Sequence, residues 1–420
     1  MRESTTKKYE LVFIPGPGIS HLVPTVEFAK TLLDTEHRFS VTVLTMNVPF
    51  GPIQPSYTDS FPQIRFIELI RPDSPPPEMK HSLSGLCEFI DHYKPHSRQA
   101  IAQLIATELD PNSVSLAALV LDMFTTTMVD IADELGVPSY AYYTSGAATL
   151  DLFLYIPVLD STIETDLKDD LTRELEIPSF KNSVPSIAVP SALWTKSCDD
   201  YIWYVYCGRR MGEVKGVIIN SFYDLETHAI DSLGTVSGYP KIYSVGPVLD
   251  LAGRANSDKS QTQQNENIMK WLDKQPARSV VFLCFGSRGT FDVDQVKEIA
   301  NGLERSGHRF LWSVRPKDGS TRLDELVPEG FVERTSERGW CAVKELGLSV
   351  ELKGYYRVSE DDLVTAEEVE RGVRKVMEGE CEEVRKRVEE MKEKSRRALK
   401  EGGSSAGSVK RLIEDLIEGM

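Results

Sequence analysis

Residues 9–21 read Tyr9-Glu10-Leu11-Val12-Phe13-Ile14-Pro15-Gly16-Pro17-Gly18-Ile19-Ser20-His21, and the apolar residues Leu22, Val26, Ala29 and Leu33 follow at helical spacing. The run 9–14 predicts a buried strand, the prolines and glycines a tight turn, and the later spacing a helix. Outward from this unit, strands are predicted at 39–45, 117–121, 139–143 and 217–220, with a helical segment at 126–134. Strands that alternate with helices in this way imply a parallel sheet covered on both faces. The N-terminal half is therefore expected to be doubly wound.

Composition narrows the class. With 420 residues there is chain for two or three domains, and 41% hydrophobic against 27% charged residues excludes general disorder. The 48 Lys and Arg against 64 Asp and Glu leave a net charge of −16, the wrong sign for a nucleic-acid or anionic-membrane surface. Six scattered Cys are too few for a disulfide scaffold and lack zinc-site spacing, which fits a reducing compartment. The polar start has no apolar core of a signal peptide, and no run approaches about 18 uncharged apolar residues. A soluble, cytoplasmic protein is expected.

Residues 249–267 turn polar, with Gly253, Asn256, Ser257, Ser260 and a run of Gln and Asn. They read as a linker between a domain at 1–248 and another at 268–420. The second domain opens with a strand at 279–285 leading into Gly286-Ser287-Arg288-Gly289, then a helix at 292–303 and a strand at 310–314. After Gly339-Trp340-Cys341 only a short helical turn and a strand at 349–352 precede the mixed-charge stretch 360–401. There Val384, Val388 and Met391 predict solvated amphipathic helices. The fold class is α/β, with a doubly wound parallel sheet in the first half and a second parallel-sheet domain after the linker.

Gly16 and Gly18 match the first two glycines of a dinucleotide fingerprint, but His21 stands at the third. The second strand ends in Leu44-Thr45-Met46-Asn47, with no acid for a ribose, so a nicotinamide enzyme is disfavoured. His21 opens a helix at the carboxyl ends of the strands, where open sheets bind ligands. Asp122 ends the run Leu119-Val120-Leu121 on the same side of the sheet. A carboxylate on one imidazole nitrogen fixes the tautomer and stabilises the imidazolium formed when the other takes a proton. The plainer alternatives are a surface or capping histidine and an aspartate that caps the helix after Met123. Gly286 and Ser287 bring backbone N–H groups and a hydroxyl to a helix start suited to a diphosphate, or form an ordinary turn.

The stretches 13–24, 120–124, 216–226, 271–275, 279–289 and 343–348 together resemble the plant family of UDP-sugar-dependent glycosyltransferases that act on flavonoids and other phenylpropanoids. The resemblance spans nearly the whole chain. It implies two facing Rossmann-like domains (the GT-B arrangement), with acceptor bound mainly by the first and UDP-sugar by the second. It implies an inverting, metal-independent transfer of glucose or another hexose, without a cofactor beyond the UDP-sugar co-substrate, by a monomer. His21 corresponds to the base and Asp122 to its partner. Thr144, Gly286, Ser287 and Trp340 correspond to donor contacts, and Gly18, Phe124, Phe153 and Trp194 to acceptor contacts, although core packing explains Phe153 and Trp194 equally well.

One block departs from the family. Its donor box opens with Trp-Ala-Pro-Gln and carries His-Cys-Gly-Trp-Asn-Ser, and this chain passes from Glu337-Arg338-Gly339-Trp340 directly to Cys341-Ala342-Val343-Lys344. Roughly two βα units are missing, so the second domain is expected to be internally truncated. Trp340 matches the position that opens the box. Lost charge-assisted contacts of about 1.5 to 3 kcal/mol each imply impaired donor binding. The alternative is a non-catalytic relative that keeps only the acceptor pocket.

Overall fold

A computed structural model describes residues 7–47, 55–70, 83–110, 113–254, 259–285, 291–314, 323–335, 339–342, 363–378 and 382–418. The chain divides into two compact units, Met1–Ser257 with Met391–Met420, and Asp258–Glu390.

The strands are β1 Lys8–Ile14, β2 Phe39–Thr45, β3 Ile64–Glu68, β4 Val114–Asp122, β5 Ser139–Tyr143, β6 Glu174–Leu175, β7 Val184–Pro185, β8 Gly216–Ile219, β9 Lys241–Ser244, β10 Val280–Leu283, β11 Arg309–Ser313 and β12 Gly339–Ala342. Unit one holds a seven-stranded sheet in the order β3-β2-β1-β4-β5-β8-β9, parallel throughout. From β1 the chain builds outward to β2 and β3, then returns to the other side of β1 and builds outward again from β4. The order therefore reverses between β1 and β4, the place where open α/β sheets bind ligands.

Side-chain alternation gives this sheet two apolar faces. Val12, Ile14, Leu119, Leu121, Ala141 and Val217 enter one buried core, and Leu11, Phe13, Val120, Tyr140, Tyr142 and Ile218 enter the other. Strands covered on both faces read as near-continuous apolar runs, which is why they are legible in the sequence.

The last helix, Ser404–Glu418, packs on the second of these faces. Its Val409, Leu412, Ile413 and Leu416 form an apolar stripe at helical spacing. Asp415 accepts from Lys241 and from the Tyr243 hydroxyl, and the Ser405 hydroxyl donates to the Gly246 carbonyl at 2.6 Å. The terminal residues thus belong with the first unit, whereas a single domain at 268–420 is the sequence expectation.

Residues 259–273 form a helix that begins inside the stretch 249–267 read as linker and runs beyond it. Gln, Glu and Lys are good helix formers, and Ile268, Trp271 and Leu272 supply an apolar stripe that packs against Val280, Phe282 and Leu311. Polarity alone does not distinguish a linker from a helix with a narrow apolar stripe.

Unit two has a three-stranded parallel sheet, β10-β11-β12, among the described residues. The helix Val293–Ser306 starts at Asp292, whose side chain accepts from the Gln295 N–H at 3.0 Å. The helix Ala366–Met377 starts with a capping box of Thr365 and Glu368 and packs on it through Val369 and Val373. All four residues of β10 are only partly buried although they read Val-Val-Phe-Leu. The strand expected at 349–352 and the stretch 343–348 lie outside the described residues.

Candidate active site

Gly18 has φ 103°, a conformation that L side chains rarely adopt, and it precedes the helix Ile19–Thr35. His21 is the third residue of that helix, and the Thr25 hydroxyl donates to its carbonyl at 2.8 Å. Gly16 is needed for another reason. A Cβ on it would lie 2.8 Å from Oδ1 of Asp122 and 3.3 Å from Cγ of His21. The two side chains close over the backbone of Gly16, in space that any other residue would fill.

Asp122 is the last residue of β4, and its Oδ2 lies 2.8 Å from Nδ1 of His21. Its Oδ1 accepts the backbone N–H of Phe124 at 3.0 Å. One carboxylate oxygen thus stabilises the local turn and the other faces the imidazole, while the helical turn after Met123 has Thr125 at its cap position and no side-chain cap from Asp122. The Asp122 side chain is 1% exposed and that of His21 18%. A carboxylate only accepts, so Nδ1 carries the proton and Nε2 is left with a lone pair.

Two opposed effects set the basicity of His21. Burial, the largest, disfavours the imidazolium, but the charge of Asp122 and its hydrogen bond to the ring together favour it more, and the pKa is raised above the ordinary 6.5. The Phe124 ring lies edge-on to the imidazole, with centroids 5.2 Å apart.

Sequence reading misses Thr125. It is fully buried, its hydroxyl donates to the Ile14 carbonyl at 2.7 Å, and the Asp122 N–H donates to that hydroxyl at 2.8 Å. One hydroxyl thus joins the end of β1, which leads through the glycine turn to His21, to the end of β4, which bears Asp122. A Thr three residues after an Asp at a strand end is the available signal, because such hydroxyls bond to nearby backbone.

Thr144 follows β5, whose Tyr142 is in register with Asp122. Phe153 is 5% exposed and packs on Tyr143 and Tyr204, with centroids 6.4 and 5.9 Å away. Trp194 is partly buried against the same core and donates its indole N–H to the Ser186 carbonyl at 3.0 Å. The fold thus brings His21, Asp122 and Phe124 together over the glycine turn that holds Gly18, with Thr144 at the next strand end, while Phe153 and Trp194 pack in the core. A cavity of about 540 Å³ opens elsewhere, lined by Tyr155, Leu159, Ile163, Arg173 and Leu175 among others.

Of the second unit's candidates, Gly286 and Ser287 lie outside the described residues. Trp340 sits in β12 in register with Leu311. Among the described residues no group of three His, Cys, Asp or Glu side chains is placed to hold a metal ion. No described helix is long and apolar enough to cross a membrane.

No protein-family model matches the chain. UDP-glycosyltransferase 71K2 of Pyrus communis is 39% identical over 480 positions, covering 98% of this chain and 98% of its own. The putative UDP-glucose flavonoid 3-O-glucosyltransferase 3 of Fragaria ananassa is 37% identical, covering 98% and 100%. Among solved structures, Medicago truncatula UGT71G1 complexed with UDP-glucose superposes with a TM-score of 0.84 at 35% identity, covering 99% of this chain and 100% of that one. The 480 aligned positions exceed the 420 residues of this chain by 60, so at least that many positions of the Pyrus protein's alignment have no counterpart here. With identity at this level along almost its full length, the chain belongs to the plant family of UDP-sugar-dependent glycosyltransferases.

Proposed function

We propose that this protein transfers glucose, or another hexose, from a UDP-sugar to a hydroxyl of a small phenolic acceptor, with inversion at the anomeric carbon. The observation that carries the reading is the 2.8 Å contact between His21 Nδ1 and Asp122 Oδ2 at the switch point of the first sheet. Nε2 takes the proton of the acceptor hydroxyl, and the oxygen attacks the anomeric carbon in line with the departing diphosphate. A carbon–oxygen bond forms to the acceptor, the bond to UDP breaks, and the proton remains on His21. Asp122 stabilises the resulting imidazolium, as the raised pKa of His21 implies. A well-placed base of this kind contributes about 10² to 10⁴ in rate.

In this reading Gly18 and Phe124 border the acceptor, with Phe153 and Trp194 behind them. Thr144 meets the donor sugar, while Gly286, Ser287 and Trp340 bind the nucleotide. The name of the Fragaria relative supports a flavonoid-like acceptor, and the UDP-glucose in the Medicago structure supports that donor. The protein acts as a cytoplasmic monomer, which cell fractionation and gel filtration test. Incubation with UDP-glucose and a panel of flavonols, chalcones and coumarins should give products one hexosyl group heavier. Absence of product where an intact relative forms it refutes activity of this chain.

A second reading is favoured by the surplus alignment positions and by the absence of the Trp-Ala-Pro-Gln box from the sequence. Here the chain binds phenolic acceptors but not UDP-sugars. Calorimetric titration separates the two readings: the second requires acceptor binding with no UDP binding, and tight UDP binding excludes it.

A further inference from the structure

The turn Thr144-Ser145-Gly146 carries the chain from β5 into the helix Ala147–Thr162. The first N–H groups of any helix lack partners within it. Gly146, at the cap position, has no side chain to offer. Glu226, which follows β8, supplies the missing acceptor. Its Oε2 accepts from the Ala147 N–H at 2.9 Å and its Oε1 from the Ala148 N–H at 3.1 Å. The Ser221 hydroxyl also donates to Oε2.

The fit leaves no slack. A Cβ on Gly146 would lie 2.7 Å from the Glu226 carboxylate. Behind the turn, the Asn220 N–H donates to the Tyr143 carbonyl at 3.1 Å, and the Asn220 side chain is itself bonded to both the N–H and the carbonyl of Val248. Only a carboxylate answers both amides with equivalent acceptors, since an amide side chain would turn its NH₂ toward one of them. Its charge is also favoured at a helix N-terminus.

We propose that Glu226 is a positioning residue for sugar recognition. From one strand away it fixes the turn that carries Thr144, next to the strand end that bears Asp122. The proposal rests on the reading of Thr144 as the donor-sugar contact.

The test compares UDP-glucose and UDP binding by calorimetry in the wild type, Glu226→Gln, Thr144→Ala and the double variant, with hydrogen exchange of residues 143–150 measured on the same proteins. Glu226→Gln is expected to weaken UDP-glucose about tenfold and leave UDP unchanged. The double variant should be no worse than Thr144→Ala, because both changes remove the same contact. Equal weakening of both nucleotides, or losses that add, overturns the proposal. If the wild type binds neither nucleotide, the donor reading itself has failed, and exchange decides the positioning role. Faster exchange confined to 144–149 in Glu226→Gln upholds it, and unchanged or uniformly faster exchange overturns it.

Discussion

Oδ1 of Asp122 stands 2.8 Å from the point that a Cβ on Gly16 would occupy, so the carboxylate reaches His21 only because residue 16 has no side chain. Asp122 has little room to retreat, since its two oxygens are committed to the Phe124 N–H and to the imidazole. Gly16→Ala is therefore expected to part the pair. Overpacking of this kind costs about 1 to 3 kcal/mol, readable by urea denaturation, and turnover should fall about a hundredfold. Unchanged turnover and stability in the Gly16→Ala variant would show that the strand end yields freely.

Asp122→Asn keeps the shape of the side chain and removes its charge. The amide no longer dictates which ring nitrogen bears the proton, and turnover should drop by about 10² to 10⁴ with little change in acceptor affinity. Separate measurement of kcat and KM checks this.

The pH dependence follows from the raised pKa of His21. A base must be unprotonated, so the rate should rise with pH with its half-point above 6.5, and Asp122→Asn should lower that half-point because burial then acts unopposed. Stability runs the other way. The interaction adds stability that is fully present below the unfolded value and is lost as pH climbs through the folded one. Titration of the His21 ring by NMR reads the shift directly, and a wild-type midpoint below 6.5 contradicts it.

Thr125→Val is isosteric but leaves the Ile14 carbonyl and the Asp122 N–H without the hydroxyl that now joins them. Buried groups left unpaired cost about 1 to 3 kcal/mol, so a clear loss of denaturation midpoint is expected, together with reduced turnover.

Tyr142→Phe should behave oppositely. The Tyr142 hydroxyl is buried with no hydrogen-bond partner among the described residues, its ring stacks on Phe28 at 5.0 Å, and burial first, then Asp122, pushes its pKa far up. Removing that hydroxyl is expected to leave stability equal or higher, by up to about 1 kcal/mol. A marked loss in thermal unfolding would reveal a bond that the geometry lacks.

How much was readable in advance depended on the range of the interaction. Residues 9–14, 39–45 and 139–143 are legible because strands buried on two faces read as near-continuous apolar runs, with few polar residues among them. The polar run at 259–267 reads as linker because the apolar residues Ile268, Trp271 and Leu272, which pack that helix, lie just beyond it. His21 and Asp122 were legible as residues at strand ends, but their 101-residue separation hid the contact itself.

The amino-acid order by itself determined the alternation of strands and helices, the glycine turn and the family, since these rest on local spacing and on motifs that neighbouring residues carry. Only the tertiary structure decided that Gly16 is a matter of space and not of backbone angle, that Thr125 ties two strand ends, and that Glu226 answers the amides of a distant helix. Each of these depends on groups brought together across the sheet, where geometry in three dimensions sets the energy and position along the chain says nothing.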